Sequence, residues 1–515
     1  MIGVKGVTPT FPLDHLVDIS AALLGVTSRD ICSDVSVKEE VSIQGGPDSS
    51  CILYREEPLE IAPGPLQSIS SETWQFLRFK NALDIPTMTL RRALLDAYIA
   101  FVHPSMPVLD LPRVLDSILM SQDECRLSPL LFQAMMFAAS AFVETQALQA
   151  AGYRFRSDLR RDLFHKVKVI YESDMEADST IQIQALLLIS DWHDCANNPK
   201  DPYYWIGLAV STAHRLGLHE KSYDGLASLR KRLWWCIYAQ DIRVSLKLRR
   251  PRQIKDTIVT AGFLQEEDLE IGHVKDRVRS EFNKCADLFE PESTRQLNQL
   301  YMHSINLCVR IGRVLDDFYT PSWTRNVLIE SPVLLVPKRP FSAQMDLRAE
   351  QAFEALAASY AVFSSEECLL AADIRGEVGS VGLSFAMQNA ELHIMYHLAR
   401  CILSHALLSS CPPFTSLLWK EKLRSATYDI ISVLQLLCAS RPQAAFPSIC
   451  VPAVSLVTAI IVTGLDDKKE DQGVKDRSLS NYHFCMNIAK ILQETHPAAY
   501  MISMSSNSGN CWLFR

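Results

Sequence analysis

The chain has 515 residues, 48% of them hydrophobic and 21% charged, an ordinary globular balance with room for a large core and more than one cooperative unit. Its formal net charge is −8. That acidity argues against nonspecific phosphate contacts as the chain's main task.

Residues 1–70 differ from the rest. They hold Gly, Pro and Ser clusters ("IQGGPDSSC", "IAPGPLQSISS"), ten acidic residues and four basic ones, Lys5, Arg29, Lys38 and Arg55. The expectation is a flexible acidic arm with one short helix around "LDHLVDISAALLG". From Ser71 the pattern turns helical. "SSETWQFLRFKNAL" offers a Ser cap and an acidic residue in the first turn. "TLRRALLDAYIAFV" places Leu90, Leu94, Ala97, Tyr98 and Phe101 on one face. It is expected to stop at His103-Pro104, because the residue before a proline disfavours helix. "PLLFQAMMFAASAFV" is apolar almost all round and belongs inside. "TIQIQALLLISDWHDC" repeats this, with Thr180 as the expected start. "DPYYWIGLAVSTAHRLGLH" opens with Asp201 as cap and Pro202 at the first helical position, and ends at Gly217 in a left-handed conformation.

Next comes "LRKRLWWCIYAQDIRVSLKLRRP". Residues 233–239 are seven successive apolar side chains that point in every direction around a helix. Seven residues rise only about 10 Å, too little for a membrane, so this is read as the central helix of a helical core. Arg230, Lys231 and Arg232 crowd the first turns, where the helix dipole disfavours cations, so surface exposure or carboxylate partners are expected. Asp241 follows the apolar block and needs a cationic partner if buried. Arg250 is the first candidate, with Arg243 and Arg232 behind it. Pro251 breaks any recognition helix through "RRPRQIK", so DNA contact by this stretch is not expected.

Further on, "STRQLNQLYMHSINLCVRIGRVLDDFY", "AEQAFEALAASYAVFSSEECLLAA", "SFAMQNAELHIMYHLARCILSHALL" and "KEKLRSATYDIISVLQLLCAS" keep the helical period. "TPSWTRNVLIESPVLLVPKRPFS", with four prolines, and the charged run "DDKKEDQGVKDRS" read as surface loops. "SICVPAVSLVTAIIVTG" reads as a buried helix rather than a membrane span. The fold class is all-α and multi-helix. Its expected divisions are the arm 1–70, a helical domain 71–330 and a C-terminal helical region 331–515 packed on it.

Over residues 71–269 these pieces resemble the fungal-specific transcription factor domain, the middle homology region of fungal zinc binuclear cluster regulators. The matching positions are Trp205, Gly207, Ala209, Ala213, Leu216, Gly217, Leu218, His219, Arg232, Trp234, Trp235, Asp241, Arg250 and Pro251. Upstream, "LLDAYIAFVHPSMPVLD" is similar to the family's entry segment. Arg249 stands where the family usually has Gly, so the turn before Arg250-Pro251 is expected to differ. The resemblance implies regulation of RNA polymerase II transcription, a nuclear location, and no enzyme activity. It also implies contact with the transcription machinery and homo- or heterodimerisation with a complete zinc cluster regulator. The family's cluster needs six cysteines, and residues 1–70 hold only Cys32 and Cys51. No cofactor, metal site, catalytic residue or DNA-binding residue is therefore assigned. Two alternatives stay open: a DNA-binding module encoded upstream of Met1, or a cluster-less interaction partner or ligand-sensing modulator.

"SDWHDCANN" gathers Asp191, His193, Asp194 and Cys195, read as a polar helix end rather than a metal site. "LDDFYT" resembles the start of the diphosphate motif of all-α terpene cyclases, but Thr320 stands where a further acid is needed. His214 and His219 lack the i, i+4 spacing of a zinc pair. "LSSCPPF" around Cys411 reads as a loop. The fourteen cysteines include no C-x-x-C pair, and "MIGVKGVTPTFPLDHLVD" lacks a secretory apolar core, so buried thiols in a reducing compartment are expected. The stretches "AMMFAASAF" and "LHIMYH" are expected to be closely packed core, with a pocket for a small hydrophobic effector lined by them as the alternative.

Overall fold

The computed structural model describes residues 70–119, 127–193, 198–222, 225–256, 260–269, 272, 274–322, 333–339, 342–364, 380–409, 413–440, 446–465, 472–500 and 502. All of them fall within one unit, Leu59–Arg515. They form helices joined by turns, with one short hairpin. The expected flexible arm, residues 1–70, lies outside the described residues except for Ser70.

Helix α1, Ser71–Phe79, starts where Ser70 Oγ accepts the Thr73 N–H at 3.1 Å. Helix α2, Met88–Ala97, buries Leu90, Leu94 and Ala97, then runs directly into a π-helical turn, Tyr98–Val102. The chain leaves the helix ahead of Pro104, as expected. The widened last turn carried no signal in the sequence. Helix α3 is Leu111–Leu119. Helix α4, Pro129–Ala139, is buried on nearly every side. After α5, Thr145–Ala150, and α6, Arg156–Glu172, comes α7, Ser179–Ile189. Thr180 is not the start of α7: Asp178 caps it, its Oδ1 accepting the Thr180 N–H at 2.7 Å. A carboxylate answers both the free N–H groups and the positive end of the helix.

Helix α8, Pro202–Arg215, begins as expected, with Asp201 Oδ1 accepting the Tyr204 N–H at 3.1 Å. It ends at Gly217, whose φ is +64°. Helix α9, Ala227–Leu248, carries the tandem tryptophans. Two short helices, α10 at Glu266–Leu269 and α11 at Asp276–Glu281, lead to the long α12, Pro291–Phe318.

The stretch after α12 departs from the loop expectation. Strands β1, Tyr319–Ser322, and β2, Leu334–Pro337, pair antiparallel, with Tyr319 opposite Pro337 and Ser322 opposite Leu334. Both strands are edges, so Pro321 and Pro337 interrupt no central ladder. Helices α13, Ala343–Ser364, α14, Ser380–Leu408, α15, Pro413–Ser440, α16, Cys450–Leu465, and α17, Gln472–Thr495, complete the unit. The charged run is thus partly helical: its last residues, from Gln472, open α17, which is held by buried Cys485, Ile488, Ala489 and Leu492. Among the described residues no helix is long and apolar enough to cross a membrane.

Packing follows the chain. Helix α4 lies against α6 and α7, α7 against α8, α8 against α9, α9 against α12, α12 against α14, and α14 against α15. Helix α17 returns to α6 and α16 returns to α9, so the last helices touch the first half of the unit. Buried residues of both halves form one continuous cluster.

Candidate functional site

Helix α9 is interior along most of its length: Arg232 and every residue from Leu233 to Ile242 are buried. Trp234 is 0% exposed and packs edge-on to His214 at 5.6 Å and against His219 at 5.8 Å. The two histidines stand 4.6 Å apart, so they form an aromatic cap over the indole. Trp235 donates to Gly262 O at 2.8 Å and stacks on Phe263. Trp205 donates to Lys200 O at 2.9 Å and meets Phe164 and Tyr204 edge-on.

Asp241 is 1% exposed, and its partner is not Arg250. Its carboxylate caps the returning chain. Both oxygens accept the Gln253 N–H, at 3.1 and 2.9 Å, and Oδ2 accepts the Ile254 N–H at 2.9 Å. Burial pushes its pKa up to about 6, against the pull of these N–H groups and Arg252, so it is ionised at neutral pH. Arg250 instead pairs with the α8 cap, Asp201, at 2.8 Å, and lies over the Tyr203 ring. The runners-up are also engaged elsewhere. Arg243 pairs with Glu391 on α14 at 3.0 Å, while Arg232 is buried with no carboxylate in ion-pair range among the described residues. Lys231 takes Asp268 at 2.8 Å, and Arg230 donates to Leu216 O at 2.6 Å.

Two further arginines shape the turn at Pro251: Arg249, where the sequence led us to expect a difference, and Arg252, which the sequence did not single out. Arg249 ends α9 in the left-handed region, φ +53°, which explains why glycine suits that position in the family. The hairpin holds it there: Leu335 N–H donates to Arg249 O at 2.7 Å, and Arg249 Nη2 donates to Leu335 O at 3.2 Å. Arg252 is buried among Asp256, Asp316 and the Tyr238 hydroxyl. Asp316, the first acid of the "LDDFYT" stretch, is thereby tied into an ion pair. Two glycines permit these approaches. A Cβ on Gly207 would lie 2.9 Å from Gln253 Oε1, and one on Gly312 would lie 3.1 Å from the Tyr238 hydroxyl. Gly207, Asp241 and Arg250 thus meet at the α8–α9 junction, Trp234 packs on His214 and His219 beside it, and Trp235 turns instead to Gly262 and Phe263.

The remaining sequence candidates disperse. Asp191 bonds Lys247 Nζ at 3.2 Å just beyond the end of α7. Asp194, Cys195 and Cys411 lie outside the described residues. Cys236, Cys285, Cys308, Cys401, Cys450 and Cys485 are buried free thiols. Burial raises Cys236 and Cys308 to about 11, so both stay protonated.

Behind α9 the structure contains a partly open cavity of about 110 Å³. Phe137, Ala138, Ala141 and Phe142 line it, all from the "AMMFAASAF" stretch. No residue of "LHIMYH" does; Gln388 and Glu391, earlier on α14, take that wall. Arg160, Asp191, Gln240, Arg243 and His496 add further polar groups to the lining. Burial pushes His496 down to about 3, leaving it neutral. Helical spacing pointed to Arg160 in principle. Arg156, Arg160, Leu163, Phe164 and Val167 share one buried face of α6.

These features define an all-helical domain built around a buried tryptophan helix, its aspartate-capped return and an internal polar cavity. Residues 95–327 match the family model described as the fungal specific transcription factor domain. The match runs past residue 269 to include α12. Cutinase transcription factor 1 beta of Fusarium vanettenii is 29% identical over 468 residues, covering 86% of this chain and 52% of that protein. A transcription factor of Fusarium pseudograminearum (strain CS3096) is 27% identical over 472 residues, covering 88% and 52%. Transcription factor cpaR of Aspergillus oryzae is 32% identical over 256 residues, covering 48% and 42%. The chain spans about half the length of the first two of these relatives. No solved structure matches the chain significantly.

Proposed function

We propose that this chain supplies the regulatory and effector part of a fungal transcription regulator, acting in the nucleus on RNA polymerase II transcription without enzymatic activity. The observation that carries the reading is the family match over residues 95–327, which spans the buried α8–α9 signature. The test fuses the full chain to a heterologous DNA-binding domain in a fungal host with a reporter. Reporter output is expected to rise or fall relative to the DNA-binding domain alone. Unchanged output from a folded, nuclear fusion, on both a silent and an active promoter, refutes it.

A second reading is favoured by the arginines around Pro251. Arg249, Arg250 and Arg252 are all committed to contacts within the fold rather than offered to a phosphate backbone. On that reading the chain acts through protein partners, by dimerising with a zinc cluster regulator. Tight, salt-sensitive association of the purified chain with duplex oligonucleotides would contradict it.

A further inference from the structure

Arg160 is 3% exposed, and its Nε and Nη1 have no hydrogen-bond partner among the described residues. Its contacts are aromatic, with the guanidinium 4.7 Å from the Phe137 ring centre and 5.2 Å from that of Trp192. The other charges of the lining are held in ion pairs, Arg243 with Glu391 and Asp191 with Lys247 from just outside the cavity. Arg160 feels Asp191 only at longer range, so it is the one lining charge in no ion pair among the described residues. Gln388, which lines the same cavity, is 8% exposed, and both its amide oxygen and nitrogen lack partners among the described residues. Two buried, unsatisfied polar groups lining one cavity call for an occupant that supplies acceptors and one negative charge.

The rest of the wall sets the occupant's body. Phe101 and Phe142 stack at 5.3 Å, and Met106, Met387 and Leu187 add apolar surface. A rigid cavity of ~150 Å³ accepts benzene, so about 110 Å³ holds a smaller molecule. We propose that this cavity is a binding site for a short-chain monocarboxylate, with Arg160 on the carboxylate, Gln388 completing its hydrogen bonds and the Phe101–Phe142 pair covering the alkyl end. A dianion would leave a second charge unmatched, and a neutral amide would leave Arg160 uncompensated. The role of such a molecule as an effector rests on the regulatory reading above; its binding does not.

The test is calorimetry and thermal shift on the full chain with acetate, propionate and butyrate. The corresponding amides, inorganic phosphate and sodium chloride at matched ionic strength serve as comparison. Saturable binding of the carboxylates alone is expected. Arg160→Met should weaken it at least tenfold, Gln388→Leu less, and Arg160→Lys should retain part of it. Ala138→Leu, which adds bulk to the cavity lining and leaves Arg160 itself unsubstituted, should abolish it. Circular dichroism establishes that each variant is folded. The proposal is overturned if no carboxylate binds saturably, if amides or phosphate bind equally well, or if Arg160→Met and Ala138→Leu both leave binding intact. A silent reporter fusion would sink the regulatory reading while leaving the binding isotherm untouched.

Discussion

The most discriminating perturbation separates the two acids at the α8–α9 junction. Asp241 serves two backbone N–H groups and no arginine within ion-pair range, whereas Asp201 holds Arg250. Asp241→Ala would strand the N–H of Ile254, which is fully buried, and that of Gln253, which is half-buried. A stranded buried donor costs about 1–3 kcal/mol, so a loss of about 2–4 kcal/mol is expected for the two. Arg250→Ala breaks a pair whose side chains are 24% and 8% exposed. That places it between surface pairs and fully buried ones, at about 1–3 kcal/mol. Double-mutant cycles by urea unfolding then decide the geometry. Asp201→Asn keeps a competent helix cap and removes the charge. Its coupling to Arg250→Ala should be about 1–2 kcal/mol, while the coupling of Asp241→Ala to Arg250→Ala should stay below about 0.5 kcal/mol. If the Asp241 cycle couples as strongly as the Asp201 cycle, the backbone-cap account of Asp241 is wrong.

Three further outcomes follow from burial and backbone shape. Trp234→Ala should cost about 3–5 kcal/mol, the range for emptying a large aromatic core site, and an unchanged unfolding midpoint would contradict its burial. His103 is held at about 3 by burial, with Arg232 adding to it, against an ordinary value of 6.5. Its native state therefore binds fewer protons than the unfolded chain, and stability falls as pH drops from 6.5 toward 3. Each such histidine adds about 1.4 kcal/mol per pH unit inside that window, so His103→Phe should flatten the acid limb of stability against pH by about that slope. At position 249, the left-handed backbone predicts that Arg249→Gly unfolds at a higher urea concentration than Arg249→Val. The expected gap is about 1–2 kcal/mol, and equal midpoints would argue against φ +53°.

The division between what the sequence disclosed and what it hid follows the range of the interactions. Burial of α9 was legible because seven successive apolar residues cannot all face water, whatever surrounds them. The ends of α8 were legible because Asp201, Pro202 and Gly217 act within one turn of their own helix. The partner of Asp241 was not, because it depends on where the chain returns after Pro251, and a carboxylate is satisfied as well by two N–H groups as by a cation. The hairpin was hidden by its prolines, which suit edge strands and loops alike.

Arg160 shows the same limit from the other side. Its place on the apolar face of α6 can be read from spacing alone, and an arginine there calls for either a partner or a purpose. Only the assembled helices reveal that no carboxylate among the described residues comes within ion-pair distance of it and that Gln388, more than two hundred positions away in the chain, lines the same cavity equally unsatisfied. Close packing alone would have placed apolar side chains at both positions at no cost in burial. Two independent helices each carrying an unsatisfied polar group to one cavity therefore argue for something that enters it.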